Sequence, residues 1–254
     1  MAHILITNDD GIQAEGLRAL VDALQDLGTV SVVAPSQERS AAAQSLTLRH
    51  PIFCEQVAER EWSIEGTPTD GMMVALHRLF PEHPDLVISG INRGANLGEN
   101  VFYSGTVGAA MEAAINRVPA IAISLAYRTP KLNYRPAAEF ARQLADVVLA
   151  DGLPEGMLLN VNVPQDWGGG VRLTRQSKKV TRTVLQEGAD PRGRTYYWLN
   201  EERVTEEVDT ESDYAAVIEG HVSMTPLEID RTHDLSLNHL SHWASRLEKR
   251  CPTR

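Results

Sequence analysis

The sequence predicts an α/β protein: a doubly wound, mainly parallel sheet with a carboxyl-terminal arm of β-hairpin, strand and helix. Three observations predict the sheet. "HILITN" (3–8) is a short strand-like run rich in apolar residues. "EGLRALVDALQDLG" (15–28) repeats Leu17, Leu20, Val21, Leu24 and Leu27 at helical spacing, with Gly28 as a candidate helix stop. "VSVVAP" (30–35) is strand-like again. Strand, helix and strand in that order make a βαβ unit, and therefore parallel pairing.

The alternation continues. Residues 45–66, which contain "WSIEG", read as short strands or a hairpin. "TPTDGMMVALHRLF" (67–80) reads as a helix with Pro68 near its start and an apolar stripe through Met72, Met73, Leu76 and Leu79. "DLVISG" (85–90) is a strand followed by a long polar loop, and "TVGAAMEAAIN" (106–116) is a helix rich in small residues. "AIAISL" (120–125) is a strand, 135–150 a helix and "LLNVNVP" (158–164) a strand. The core therefore spans residues 1–165 as a Rossmann-like sheet with helices on both faces.

Composition shifts after Pro164. "WGGG" (167–170) is hinge-like, and 176–200 reads as a charged β-hairpin turning at "EGADPRG". "HVSMTPL" (221–227) is a further strand, and 236–250 a terminal helix. This tail has too little apolar periodicity for its own core. Residues 166–254 are expected to be an arm that packs on the core and on a neighbouring subunit.

A chain of 254 residues, 43% hydrophobic and 23% charged, has enough apolar content for one large α/β domain. Its net charge of −10 argues against a nucleic-acid polymer as partner, because phosphate backbones demand a basic face. A small phosphorylated ligand stays admissible, since a local pocket can oppose the global sign. Cys54 and Cys251 are too few for a disulfide framework and read as free thiols. The amino terminus has no basic stretch leading into an apolar run, and no apolar stretch nears the ~20 residues that span a bilayer. A cytoplasmic protein without a membrane partner is expected.

The chemistry concentrates at strand ends. Asp9 and Asp10 stand where the first strand should stop, followed by Gly11. In open α/β sheets ligands bind beyond the carboxyl ends of the strands. Two carboxylates there repel each other, and a divalent cation such as Mg²⁺ or Mn²⁺ offsets that repulsion. The pair also fits a helix cap with a solvated acidic turn, and these residues alone leave both readings open.

The second strand exits into "APSQERSAAAQS", where Ser36 and Ser40 are the nearest hydroxyls. The third exit, "SGINRGANLGENVFYSGTVGAAMEAA" (89–114), carries Asn92, Asn96 and Asn100 among glycines, then Ser104, Gly105 and Thr106 at a helix start. Backbone N–H groups, hydroxyls and the helix dipole make an anion cradle there. Together the three exits suit metal-assisted phosphoryl chemistry. No "GxxxxGK[ST]" P-loop or "GxSxG" elbow occurs. His239 and His242 lack a nearby acid and read as surface or structural residues.

The blocks "ITNDDGI" (6–12), "APSQERSAAAQSLTL" (34–48), "GTPTDGMMVAL" (66–76) and "SGINRGANLGENVFYSGTVGAAMEAA" (89–114) resemble the SurE family of survival-protein nucleotidases. "DPRGRTYYW" (190–198) and "HVSMTPLEID" (221–230) resemble its carboxyl-terminal arm, so the likeness covers nearly the whole chain. The resemblance implies a metal-dependent phosphohydrolase acting on nucleoside 5′- and 3′-monophosphates, and on short polyphosphate. It implies one Mg²⁺ or Mn²⁺ per subunit on Asp9, Asp10, Ser40 and Asn92, with Asp9 and Asp10 as catalytic acids. It implies phosphate binding by Asn96, Ser104, Gly105 and Thr106, and a homodimer or homotetramer with exchanged arms.

Three positions depart from the family pattern. Ala41 stands where a glycine is common, Gly71 where a cysteine is common, and "TESDYAAVIEG" (210–220) lacks a tryptophan often found there. Two rival functions remain. One is a phosphatase with a covalent aspartyl-phosphate, although that chemistry pairs its nucleophile with an acid two residues on, where Ile12 and Gly11 follow here. The other is a non-enzymatic nucleotide or metal sensor whose tail recruits a partner.

Overall fold

Ile4, Leu5 and Ile6 are all fully buried, so the first strand is covered on both faces and belongs inside the sheet. The computed structural model describes residues 1–178, 181–203 and 209–248. Cys251, part of the hairpin reading and the last two residues of the helix predicted over 236–250 lie outside them.

The chain runs β1 (Ala2–Thr7), α1 (Glu15–Leu24), β2 (Gly28–Pro35), β3 (Cys54–Ala58), β4 (Glu61–Ile64) and α2 (Pro68–Val74). It continues with β5 (Leu86–Arg93), α3 (Gly105–Ile115), β6 (Ala120–Ala126), α4 (Arg135–Asp151) and β7 (Met157–Pro164). Then come β8 (Val171–Leu173), β9 (Thr181–Ala189), β10 (Thr195–Arg203), α5 (Asp213–Ile218), β11 (Val222–Glu228) and α6 (Asp234–Glu248). A π-helical turn at Ala75–Leu79 extends α2, and a 3₁₀ turn at Gly98–Phe102 precedes α3.

Nine strands form the main sheet in the order β3-β4-β2-β1-β5-β6-β7-β11-β8. The block from β4 through β7 is parallel throughout, while β3 and β11 pair antiparallel with its edges. The chain winds from β1 outward to β2 and β4, then returns past β1 to β5, β6 and β7. The order therefore reverses between β1 and β5, the position where α/β sheets place their ligands.

Alternate residues of each strand serve opposite cores. Ile4 and Ile6 join Leu17, Leu20, Phe140 and Leu144 under α1 and α4, whereas Leu5 and Val33 join Met72, Leu76, Val107 and Met111 under α2 and α3. The predicted α/β class and the two-sided helical cover are thus present. At the start of α2, Thr67 and Asp70 form a reciprocal capping box, with Pro68 in the first turn.

Gly28 differs from its expected role as a helix stop: α1 ends at Leu24, and Gly28 opens β2. A Cβ there would stand 2.3 Å from the Ala2 carbonyl oxygen, so close pairing with β1 is what requires glycine. Residues 45–66 do yield a hairpin, formed by β3 and β4 at the sheet edge.

The sheet also crosses the boundary drawn at residue 165. β11 lies between β7 and β8, with Val222 and Leu227 buried, so the strand predicted in the tail is part of the core. Among the described residues, β9 and β10 pair only with each other, and α6 buries none of its residues.

Candidate active site

The turn after β1 is held from within and from two neighbouring strands. Asn8 is fully buried; its amide donates to the Gly11 carbonyl at 2.9 Å, and its Oδ1 accepts the Gly11 N–H at 3.2 Å. The Arg39 N–H donates to the Asp9 carbonyl at 2.7 Å, and the Ile12 N–H to the Pro35 carbonyl at 2.8 Å. These bonds draw the loop after β2 against the acids. On the other side, the Arg93 N–H donates to Asp10 Oδ2 at 3.0 Å, which ties the end of β5 to the same turn.

Asp9 is 5% exposed and faces the start of α3. The Thr106 hydroxyl donates to Asp9 Oδ1, and a Cβ on Gly105 would stand 2.8 Å from Asp9 Cβ and 2.9 Å from Oδ2. Only glycine admits the carboxylate that close. Burial pushes the Asp9 carboxyl above the ordinary carboxylate range, and the hydrogen bonds from Thr106 and Gly105 oppose that shift. Burial also pushes Asp10 up to about 6, with the Arg93 N–H opposing and the charges of Asp9 and Glu38 adding to the rise.

The other predicted ligands lie on the segments those bonds bring in. Ser40 follows Arg39, is exposed, and donates its hydroxyl to Glu38 at 2.6 Å. Asn92 precedes Arg93 and donates its amide to the Gly94 carbonyl at 2.8 Å, leaving its Oδ1 without a hydrogen bond among the described residues. The donor set suits a hard divalent cation: two carboxylates, one of them deeply buried with only neutral donors around it, plus a hydroxyl and an amide oxygen. Among the described residues no three His, Cys, Asp or Glu side chains come together, so such an ion would need those neutral oxygens.

The predicted anion cradle is partly committed within the protein. Ser104 caps α3, its Oγ accepting the Val107 N–H at 3.1 Å, and Thr106 holds Asp9. Asn96 is buried, and its amide donates to Ser124 Oγ at 2.8 Å. Its backbone is fixed as firmly: the Asn96 N–H donates to Asn162 Oδ1, and its carbonyl accepts from the amides of Asn160 and Asn162.

Several supporting residues were not singled out from the sequence. Asn160 and Asn162 had a signal in "LLNVNVP", where two amides interrupt an otherwise apolar strand. Tyr134, at the start of α4, is half-buried and near Asp10; burial and that neighbouring charge push its phenol up to about 12. A Cβ on Gly16 would come within 2.9 Å of the Tyr134 ring. Asp213 is fully buried and accepts from the N–H groups of Gly98, Ser177 and Tyr214 and from the Ser177 hydroxyl. His239 and His242 lie on the exposed α6, away from these contacts.

The family model described as "Survival protein SurE" matches residues 4–183. A protein named 5′-nucleotidase SurE from Geobacter sulfurreducens is 47% identical over 246 residues, covering 95% of this chain and 93% of its own length. A 5′-nucleotidase SurE from Vibrio cholerae is 44% identical, covering 94% of this chain and 96% of its own. The crystal structure of the SurE protein from Aquifex aeolicus superposes with a TM-score of 0.86 at 35% identity, covering 95% of this chain and 99% of that one.

Proposed function

The chain belongs to the SurE family, and from that premise and the geometry above we propose that it hydrolyses the phosphate ester of nucleoside 5′- and 3′-monophosphates. The observation that carries this reading is the contact between Asp9 and the start of α3, which sets an acid pair beside an anion cradle. Short polyphosphate is a further substrate class that such a cradle suits.

Asp9, Asp10, Ser40 and Asn92 would hold one Mg²⁺ or Mn²⁺. Bound there, the ion would offset both carboxylates and the substrate phosphate and acidify a coordinated water.

The chain's own groups do the rest. Thr106 and Gly105 fix Asp9, which leaves Asp10, bonded among the described residues to the Arg93 N–H alone, as the carboxylate able to accept a proton from the attacking water. Ser104 accepts the Val107 N–H and retains its own hydroxyl hydrogen for a phosphate oxygen. Asn96 gives one amide hydrogen to Ser124 and has a second to offer. The positive end of α3, where the Gly105 and Thr106 N–H groups face Asp9, adds the pull of the helix dipole on the phosphate.

The test is phosphate release from AMP with Mn²⁺, repeated after chelation. Turnover that chelation abolishes supports the reading; tight AMP binding without turnover favours the sensor. An aspartyl-phosphate route gains nothing here, because the residue two beyond Asp10 is the buried Ile12.

We also propose a homo-oligomer with exchanged arms. Trp198 and Leu199 of β10 and Trp243 and Leu247 of α6 are each more than half exposed. A groove of about 1450 Å³ runs beside β8 and β11, lined in part by Val101, Leu173 and Leu227. Apolar side chains in such number on one chain fit burial against a second copy.

A further inference from the structure

Ser40, the proposed hydroxyl ligand, sits in the long connection 36–53 between β2 and β3. Local preference works against the course of that loop. Ala41 and Ala43 take φ values of 57° and 52°, in the left-handed region that alanine disfavours. Such backbone persists only where the surroundings over-determine it. Two buried carboxylates outside the acid pair supply the constraint. Asp70, 1% exposed in the first turn of α2, accepts the Thr47 N–H on Oδ1 at 2.9 Å and the Thr47 hydroxyl on Oδ2 at 2.7 Å. Glu112, buried on α3, accepts the Gln44 amide on Oε2 at 2.9 Å. Hydrogen bonds to an ionised carboxylate are roughly twice as strong as neutral ones, which makes these two side chains firm anchors.

Backbone contacts connect the anchors to the site. The Ala43 N–H donates to the Tyr103 carbonyl at 3.0 Å, and a Cβ on Gly108 of α3 would stand 2.5 Å from the Ala43 carbonyl oxygen. On the other side of Ser40, the Arg39 N–H donates to the Asp9 carbonyl at 2.7 Å. Ser40 is thus held between the acid pair and the anchored stretch. It gives its hydroxyl hydrogen to Glu38 at 2.6 Å, so its oxygen lone pairs remain for a cation. The capping box of α2 accounts for the bonds between Asp70 and Thr67, but both bonds to Thr47 lie outside it. We infer that Asp70 and Glu112 are positioning residues, which act through Thr47 and Gln44 to hold Ser40 at the acid pair. The inference rests on the proposed role of Ser40 as a cation ligand.

The experiment cuts the loop side and leaves both helices intact, with Thr47→Val and Gln44→Leu combined in the full-length chain. Calorimetric titration with Mn²⁺ alone and amide hydrogen exchange in a chelator are the readouts. The double variant should bind Mn²⁺ about 10- to 100-fold more weakly, the usual effect of removing the support of a metal ligand. The amides of Arg39 and Ala43 should exchange faster. Thr47→Ser, which keeps the hydroxyl, should bind Mn²⁺ as the wild type does. Ser40→Ala provides the deciding comparison. Added to it, the two loop substitutions should cost no further Mn²⁺ affinity, because they act through the hydroxyl already removed. If they lower affinity by the same factor in both backgrounds, the inference is overturned while the cation site stands. Wild-type Mn²⁺ affinity in the double variant overturns it too, whether or not the loop amides exchange faster. Thr47→Val alone carries the same comparisons should the double variant fold poorly. A wild-type chain that binds no Mn²⁺, or a Ser40→Ala variant that binds it normally, overturns the reading of Ser40 as a ligand and the inference with it.

Discussion

The Thr106 hydroxyl donates to the buried carboxylate of Asp9, joining residues separated by 97 positions in the chain. Through this bond the first acid of the site is oriented by the helix that would also bind the phosphate. Thr106→Val should lower Mn²⁺ affinity or AMP turnover by about 10- to 100-fold, the usual loss when a ligand's hydrogen-bond partner is removed. Thr106→Ser should restore most of it. Metal titration and steady-state kinetics on both variants check the prediction.

Gly105→Ala should be worse for activity than for folding. Its Cβ would sit 2.8 Å from Asp9 Cβ, so the carboxylate must move, and a displacement near 1 Å can cost about 100-fold in rate. The helix itself gains from alanine. A near-normal circular dichroism spectrum with a collapsed kcat is the expected pairing.

Asp10→Asn should abolish phosphate release while stabilising the chelated protein. At neutral pH the wild-type site confines two adjacent acids whose ionisation burial disfavours, and the amide removes one charge. A rise in Tm of about 2–4 °C corresponds to ~1 kcal/mol in a chain near this size. Differential scanning calorimetry in a chelator decides it; a lower Tm contradicts the account.

His3 sets a pH limit at the other end of β1. Burial, with Arg60 adding and Asp85 opposing, holds its imidazole below the ordinary value of 6.5. Below pH 6.5 the unfolded chain therefore takes up a proton that the folded chain resists, and stability falls as pH drops toward the folded value. Above pH 6.5 this contribution is constant. His3→Gln should flatten that limb in urea titrations between pH 5 and 8.

Asp213→Ala should loosen the tail from the site. It strands the buried N–H of Gly98, at about 1–3 kcal/mol, and frees the half-buried N–H of Ser177 at a smaller cost. A lower urea midpoint and faster proteolysis near residue 177 are the expected readouts.

How much of this was legible follows from what each residue does. The strand ends at Asp9 and Asn92 were readable because β1 and β5 are short apolar runs that stop abruptly at polar residues. The helix start at Ser104 was readable from its hydroxyl beside glycine, whereas the bond from Thr106 to Asp9 crosses the fold and leaves no local trace. Asn160 and Asn162 stand out as amides in an apolar strand, but the backbone they support is more than 60 positions away, so the sequence does not say what they hold. α5 is six residues long, too short to show a helical period, and β8 is three. Gly28 looked like a helix stop because it follows the last leucine of a helical repeat, yet close strand pairing is what demands it.

The bracing of Asn96 by Asn160 and Asn162 has a temporal consequence during synthesis. By residue 116 a growing chain already carries both acids, the serine loop and the whole anion cradle. It lacks the strand that immobilises the cradle's entrance until β7 leaves the ribosome, and the buried Asp213 contact to Gly98 until later still. Nascent fragments should therefore be inert toward nucleotides, and the first turnover should coincide with release of nearly the full polypeptide.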